Sequence, residues 1–216
     1  MRLLLLFLLL LLLQIGFAQL SDPEPACRSS IPLTNGSFEK AVPVTGMLPM
    51  GWVNCGPAKE TPPDVVQHQV ENVFKVLHTA AEGQHFVSMV VRSNGTAECI
   101  QQTLDSPLLP GTSYEMTLQL ALARRFDAIE RRSMQEVSFA HPVMLEVYGL
   151  DTKNERILLD DIPPVNHEDW QSYTLQFCPA APVSALIFSP FYHPDSLYEY
   201  NGHILIDNLS DIFFEE

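Results

Sequence analysis

The chain has 216 residues, 46% of them hydrophobic, and a formal charge of −14 at pH 7. Such acidity excludes the basic surfaces to which nucleic acids and anionic membranes bind. It suits an extracellular protein, or one that holds divalent cations.

Residues 1–18 have the layout of a cleaved secretion signal. Arg2 gives the positive start, residues 3–13 the apolar run, and Gly16-Phe17-Ala18 a small-residue cleavage site before Gln19. That run is too short to span a bilayer comfortably, so no membrane span is expected after cleavage. A lipoprotein anchor at Cys27 is the rival reading. Against it, Glu24-Pro25-Ala26-Cys27 lacks the expected apolar residue and lies far from the apolar run. Residues 19–30 form a polar, proline-containing lead-in, and residues 31–216 a single domain without internal repeat or linker.

Residues 34–39 predict a short strand that opens on the Asn35-Gly36 turn and closes on Glu39. Its expected partner is the stretch 203–208, because the first and last strands of an antiparallel sandwich are often neighbours. That pairing would bring Glu39 and Asp207 together in an oxygen-rich pocket suited to calcium. Residues 41–63 hold five prolines with Gly46, Gly51 and Gly56, the composition of a long loop. Within it, Pro49-Met50-Gly51-Trp52 predicts a turn and then a short strand.

Strand signals follow at regular spacing. Residues 64–70 and 84–92 are rich in Val and Phe, and residues 98–104 alternate. Tyr114, Met116, Leu118, Leu120 and Leu122 alternate against polar neighbours, the period of a half-buried strand. Residues 143–147, 173–177, 186–188 and 204–206 follow suit, giving nine or ten strands. Without helical patterns between them, this spacing implies an all-β sandwich or jelly roll. The charged segment 124–140 is expected as a long loop, with a helical turn around 129–134 as the alternative.

Four cysteines remain after cleavage: Cys27, Cys55, Cys99 and Cys178. Three pairings are possible. The favoured one is Cys27–Cys55, tying the tail to the Trp52 segment and contributing roughly 3 kcal/mol through loop-closure entropy. Cys99 and Cys178 then pair across strands or stay free. No CxxC, HExxH, GxSxG or phosphate loop is present.

In order along the chain, Asn35-Gly36-Ser37-Phe38-Glu39, Gly51-Trp52, Ala81-Glu82-Gly83-Gln84-His85-Phe86 and Ile206-Asp207-Asn208 resemble galactose-binding-like jelly rolls. That group includes many carbohydrate-binding modules. The chain also resembles secreted or surface proteins of the Bacteroidetes type, in which a stretch such as 200–208 closes the domain. The resemblance covers nearly all of residues 31–214. It implies a jelly-roll β-sandwich and a structural calcium ion. Carried over by position, Glu39 and Asp207 would supply side-chain oxygens, and Gly36, Ser37 and Gly83 backbone carbonyls.

For sugar, the candidates are aromatic platforms and polar partners. Trp52 serves equally as core anchor or platform, while Phe126 and Tyr192 lie in loop-like segments. Arg92 and Glu98 flank the turn 93–96, either as a cross-strand ion pair or as polar groups at the mouth of a binding face. Gln101 or Gln102 would then stand behind them. Asp160-Asp161 and Glu168-Asp169 could serve as a glycosidase acid/base pair, against the reading that acidic runs are usually solvated. The function expected is therefore a secreted or cell-surface, non-catalytic module that binds a carbohydrate or cell-surface glycan and carries structural calcium. An adhesive protein contacting envelope proteins is the alternative, and a polysaccharide-degrading enzyme ranks last.

Overall fold

The alternation that begins at Tyr114 predicts one buried and one open face, and strand β6 (Tyr114–Ala121) follows it until its last two residues, which are both buried. Its inward residues Tyr114, Met116, Leu118 and Leu120 join the main hydrophobic core. The structure, a computed structural model, describes residues 28–39, 46–68, 70 and 72–215. The leader, Cys27 and residues 40–45 lie outside the described residues.

Two antiparallel sheets enclose that core. The larger contains β1 (Arg28–Ile31), β3 (Asp64–Gln67), β4 (His85–Val91), β6, β11 (Gln171–Phe177), β13 (Gly202–Asp207) and β14 (Ile212–Glu215). In it β13 and β14 lie in series along one side of β6, with β11 on the other. Strand β4 flanks β13, β3 forms the edge beyond it, and β1 covers β14. The smaller sheet runs in the order β10 (Arg156–Ile162), β9 (Met144–Leu150), β12 (Val183–Phe191), β5 (Ile100–Leu108) and β2 (Val53–Asn54). Among the described residues there is no helix, so none is long and apolar enough to cross a membrane.

Four expectations change. Residues 34–37 form a turn, not a strand, with Asn35 and Phe38 at positive φ. The strand that pairs near the chain end is β1, which begins inside the stretch read as lead-in. Strand β13 sits instead between β4 and β6, because its six residues are all buried and need partners on both sides. The segment 124–140 is neither loop nor helix but a hairpin, β7 (Asp127–Glu130) paired with β8 (Gln135–Ser138). Among the described residues, fourteen strands result. Finally, Cys55 bonds to Cys99, not Cys27, with Cα atoms 5.3 Å apart. Pairing of β2 with β5 sets Val53 opposite Gln101 and Asn54 opposite Ile100, which carries Cys55 to Cys99. Cys178 is exposed and free.

A second, smaller core lies on the outer face of the larger sheet. In β4, Val87, Met89 and Val91 point into the sandwich while Phe86 and Val90 point out of it, yet all are buried. Phe126 and Phe139, which bracket the β7–β8 hairpin, cover this outer face together with Phe74, Val76 and Trp170. Phe126 stacks on Phe74 at 5.0 Å and lies 4.9 Å from the ring of His203. His203 accepts the Ala123 N–H at Nε2 and donates from Nδ1 to the Phe139 carbonyl. Burial pushes its pKa down to about 4, so it stays neutral and pins the hairpin to β13.

Candidate functional site

Beneath the hairpin the outer face of the larger sheet opens into a cleft of about 440 Å³. Strand parity explains what lines it. Residues 86, 88 and 90 of β4 face outward, so the next outward side chain is Arg92, at the strand's end. Asp64 lies opposite Ser88 in the β3–β4 pair and shares that face. The turn 93–96, with Gly95 at φ +83°, then returns the chain so that Glu98 lies alongside Val90. Aromatic and aliphatic walls come from Phe74, Phe126, Phe139, Val73 and Ile129.

The polar end is crowded with acid. Arg92 donates from Nη2 to Glu98 Oε1 and, at 2.7 Å, to the Thr61 hydroxyl. Thr61 in turn donates to Glu98 Oε1 at 3.2 Å, while Val90 N–H donates to Oε2 at 3.0 Å. Behind the guanidinium stands Glu60, 3.7 Å from Nε, which is shared with the more exposed Arg131. Asp64 accepts the Gly46 N–H at Oδ1. Glu98 is 2% exposed and Asp64 6%. Burial pushes Glu98 up to about 8, against the pull of Arg92 and helped by the charge of Asp64. Asp64 itself rises to about 6 through burial, opposed by the Gly46 amide and Arg92.

Arg92, Glu98 and Phe126, three of the side chains singled out for ligand contact, therefore converge on one cleft. Tyr192 stands behind them, donating its hydroxyl to the Arg92 carbonyl at 2.6 Å. Trp52 does not belong to this surface. It is 5% exposed, packs against Phe38 and Phe188, and donates its indole N–H to the Asn35 carbonyl, so it is a core anchor. Gln102 is likewise structural, bonding both backbone groups of Thr34. Asp64, Phe74 and Phe139 escaped the sequence reading. Their signal was the near-continuous apolar run of β4, interrupted only by Ser88 between Phe86 and Val91, which announces a sheet covered on both faces.

The second acidic site joins Glu39 to Asp207, though not through paired strands. Both carboxylates grip the loop 81–85. Glu39 Oε1 accepts the amides of Gln84 and His85, each at 2.8 Å. Asp207 Oδ2 accepts those of Ala81 and Glu82, and Oδ1 that of Asn208. Gly83, at φ +62°, lies so close to the Glu39 carboxylate that a Cβ there would collide with it. Burial works against an ionised Glu39, but the amides of Gln84 and His85 together with the His85 ring, 3.5 Å from Oε2, outweigh it and hold its pKa below the usual range. Asp207 is fully buried. Burial lifts it to about 7, with the nearby charge of Glu39 adding to the rise.

Calcium is the cofactor that the jelly-roll resemblance implies. The chemistry of the donors fits a hard cation: two neighbouring carboxylates whose mutual repulsion a cation would offset. Glu39 Oε2 and Asp207 Oδ1 are the oxygens least occupied by amides. Backbone carbonyls would complete the shell, because no group of three His, Cys, Asp or Glu side chains is arranged for a metal among the described residues. Of the carbonyls expected to contribute, that of Gly36 already accepts the Leu209 N–H at 3.0 Å.

No protein-family model matches the chain, and no curated protein sequence does. Solved structures do match in shape. The chain is similar to a cyclase from Fischerella sp. TAU, with TM-score 0.54 and 19% identity, covering 87% of this chain and 98% of the cyclase. It is also similar to the CBM22-1 xylan-binding domain from Paenibacillus barcinonensis, with TM-score 0.50 and 13% identity over 88% and 99% of the two chains. The fold is a jelly-roll β-sandwich. An arabinose-bound α-L-arabinofuranosidase contains the same shape in part, with TM-score 0.53, 14% identity and 27% of its own length covered. A jelly roll shared by a cyclase and a xylan-binding domain locates function in side chains rather than in the fold.

Proposed function

We propose that this protein is an exported, non-catalytic module that binds a carbohydrate in the cleft beneath the β7–β8 hairpin, with calcium held at Glu39 and Asp207. The observation that carries the reading is the cleft itself. It offers about 440 Å³, the scale of a small-ligand pocket, with aromatic walls for the apolar face of a sugar ring and charged groups at one end for its hydroxyls. The xylan-binding neighbour lends the sugar reading support, and the Cys55–Cys99 bond fits an oxidising compartment. Calorimetric titration against a glycan panel in calcium buffer tests it. Binding that Phe126→Leu weakens supports the assignment. Silence from neutral and acidic glycans alike overturns it.

A second reading has one specific observation in its favour. A carboxyl raised to about 8 in an enclosed cleft, as Glu98 is, holds a proton at neutral pH and has the character of a general acid. This would make the protein an enzyme acting on a compact apolar substrate. Chemical conversion of a bound compound by the wild type, abolished in Glu98→Gln while binding persists, would establish catalysis.

A further inference from the structure

The proposed binding role of the cleft leads to a sharper question, the charge of what it binds. Its polar end withdraws three carboxylates from water: Glu60, Asp64 and Glu98. Against them stand Arg92, itself largely buried, and Arg131, which is half exposed. Arg92 donates from Nη2 to Glu98 and Thr61 and lies beside Glu60 at Nε, while its Nη1 is buried without a hydrogen-bond partner among the described residues. Asp64 receives the Gly46 amide at Oδ1 alone, and its Oδ2 has no hydrogen-bond partner among the described residues. With every acid ionised, three carboxylates face the two guanidinium groups of Arg92 and Arg131, an excess of buried negative charge that is costly. Either a proton stays on the acid pair or a cation enters.

The surroundings decide which cation. Phe74, Phe126, Phe139 and Ile129 form apolar walls, and the other lining acids, Asp127, Glu130 and Glu136, are already met by Lys75, Arg125, Ser93 and Asn201. No group of three acidic, His or Cys side chains is arranged for a metal among the described residues, and the Arg92 guanidinium repels a divalent ion at the same spot. A bare metal is therefore a poor match. A protonated amine on a compact ring meets both requirements: its N–H groups serve the carboxylates and its ring lies along the aromatic walls. Charge-assisted hydrogen bonds of this kind are among the strong ones.

We propose that the cleft selects a ring compound bearing a protonated amine, in first place an amino sugar, seated with its ammonium between Asp64 and Glu98. This rests on the binding role of the cleft, and its test separates the two. The full chain is titrated at pH 7 with glucosamine, glucose, N-acetylglucosamine and cyclohexylamine. Glucosamine should bind at least about tenfold more tightly than glucose or N-acetylglucosamine, since one good charge-assisted contact supplies that factor. Asp64→Asn and Glu98→Gln should each erase the preference, with melting curves confirming that the variants are folded. The comparison of ligands on the wild type stands even where a variant fails to fold. Equal binding of glucose and glucosamine overturns the amine inference and leaves the carbohydrate reading intact. Binding of cyclohexylamine without glucosamine supports the amine chemistry and overturns the sugar. Silence from all four compounds overturns the assignment of the cleft.

Discussion

Glu39 with Asp207, and Asp64 with Glu98, are two pairs of neighbouring acids, all buried except the half-buried Glu39, and they differ in what faces them. The first pair is met by backbone amides. Five N–H groups, four from one loop, point at its oxygens and turn the carboxylates into clasps that hold loop 81–85 against β13. The second pair meets one crowded guanidinium, a hydroxyl and two amides, beside an apolar cleft. Amide donors are part of the fold and cannot leave, so the first pair builds structure. An under-supplied pair at a cavity keeps its appetite for a partner.

The comparison breaks most visibly at Asp207. Asp207→Ala leaves three part-buried amides without their acceptor, and urea unfolding should show a loss of about 2–4 kcal/mol. A loss below about 1 kcal/mol would mean that the clasp is not structural. Next in size is calcium. With the ion at 100 times its dissociation constant, the fold should gain about 2.7 kcal/mol, seen as a rise in melting temperature of roughly 5–10 °C over a chelated sample. Unchanged melting on chelation would remove the metal from the first pair.

A smaller effect sharpens the second pair. Glu98 has a pKa of about 8 in the folded chain against an ordinary 4.5. The folded state therefore keeps a proton that the unfolded chain releases, and stability falls as pH rises from about 4.5 to about 8. His203, lowered to about 4, works in the opposite direction below pH 6.5. Asp207, raised to about 7, and Asp64, raised to about 6, add to the fall in both proteins. The contribution of Glu98 is therefore read between pH 6.5 and 8, above the range of His203, where the melting temperature of the wild type should fall more steeply than that of Glu98→Gln. Parallel curves would show that Glu98 is ionised throughout. The smallest effect is expected at Arg124, whose exposed pair with Glu168 lies outside both sites. Arg124→Ala should leave melting and ligand titration unchanged, because solvent screens such a pair.

Much of the sandwich was legible in the sequence because period-two burial writes itself into strands such as β6. The hairpin was not. Its strands have no more than intermediate burial, and charges such as Asp127, Glu130 and Glu136 hide the pattern. What holds it is tertiary: Phe126 and Phe139 at its base, His203 beneath, and Lys75 joined to Asp127 and Glu136. Arg92, Glu98 and Phe126 could be singled out from a turn and a loop, but their convergence depended on the hairpin folding back. Asp64 carried no local mark at all beyond opening a valine-rich strand.

By itself the sequence determined an all-β chain with an inward face on each long strand, and acids at the ends of motifs that close a jelly roll. Tertiary structure alone decided which cysteines meet, that Trp52 faces the core, and that the larger sheet is covered on its outer side. The physical reason is range. Alternation and turn chemistry act between neighbours in the chain, whereas burial of a charge depends on which distant segment arrives to exclude water from it.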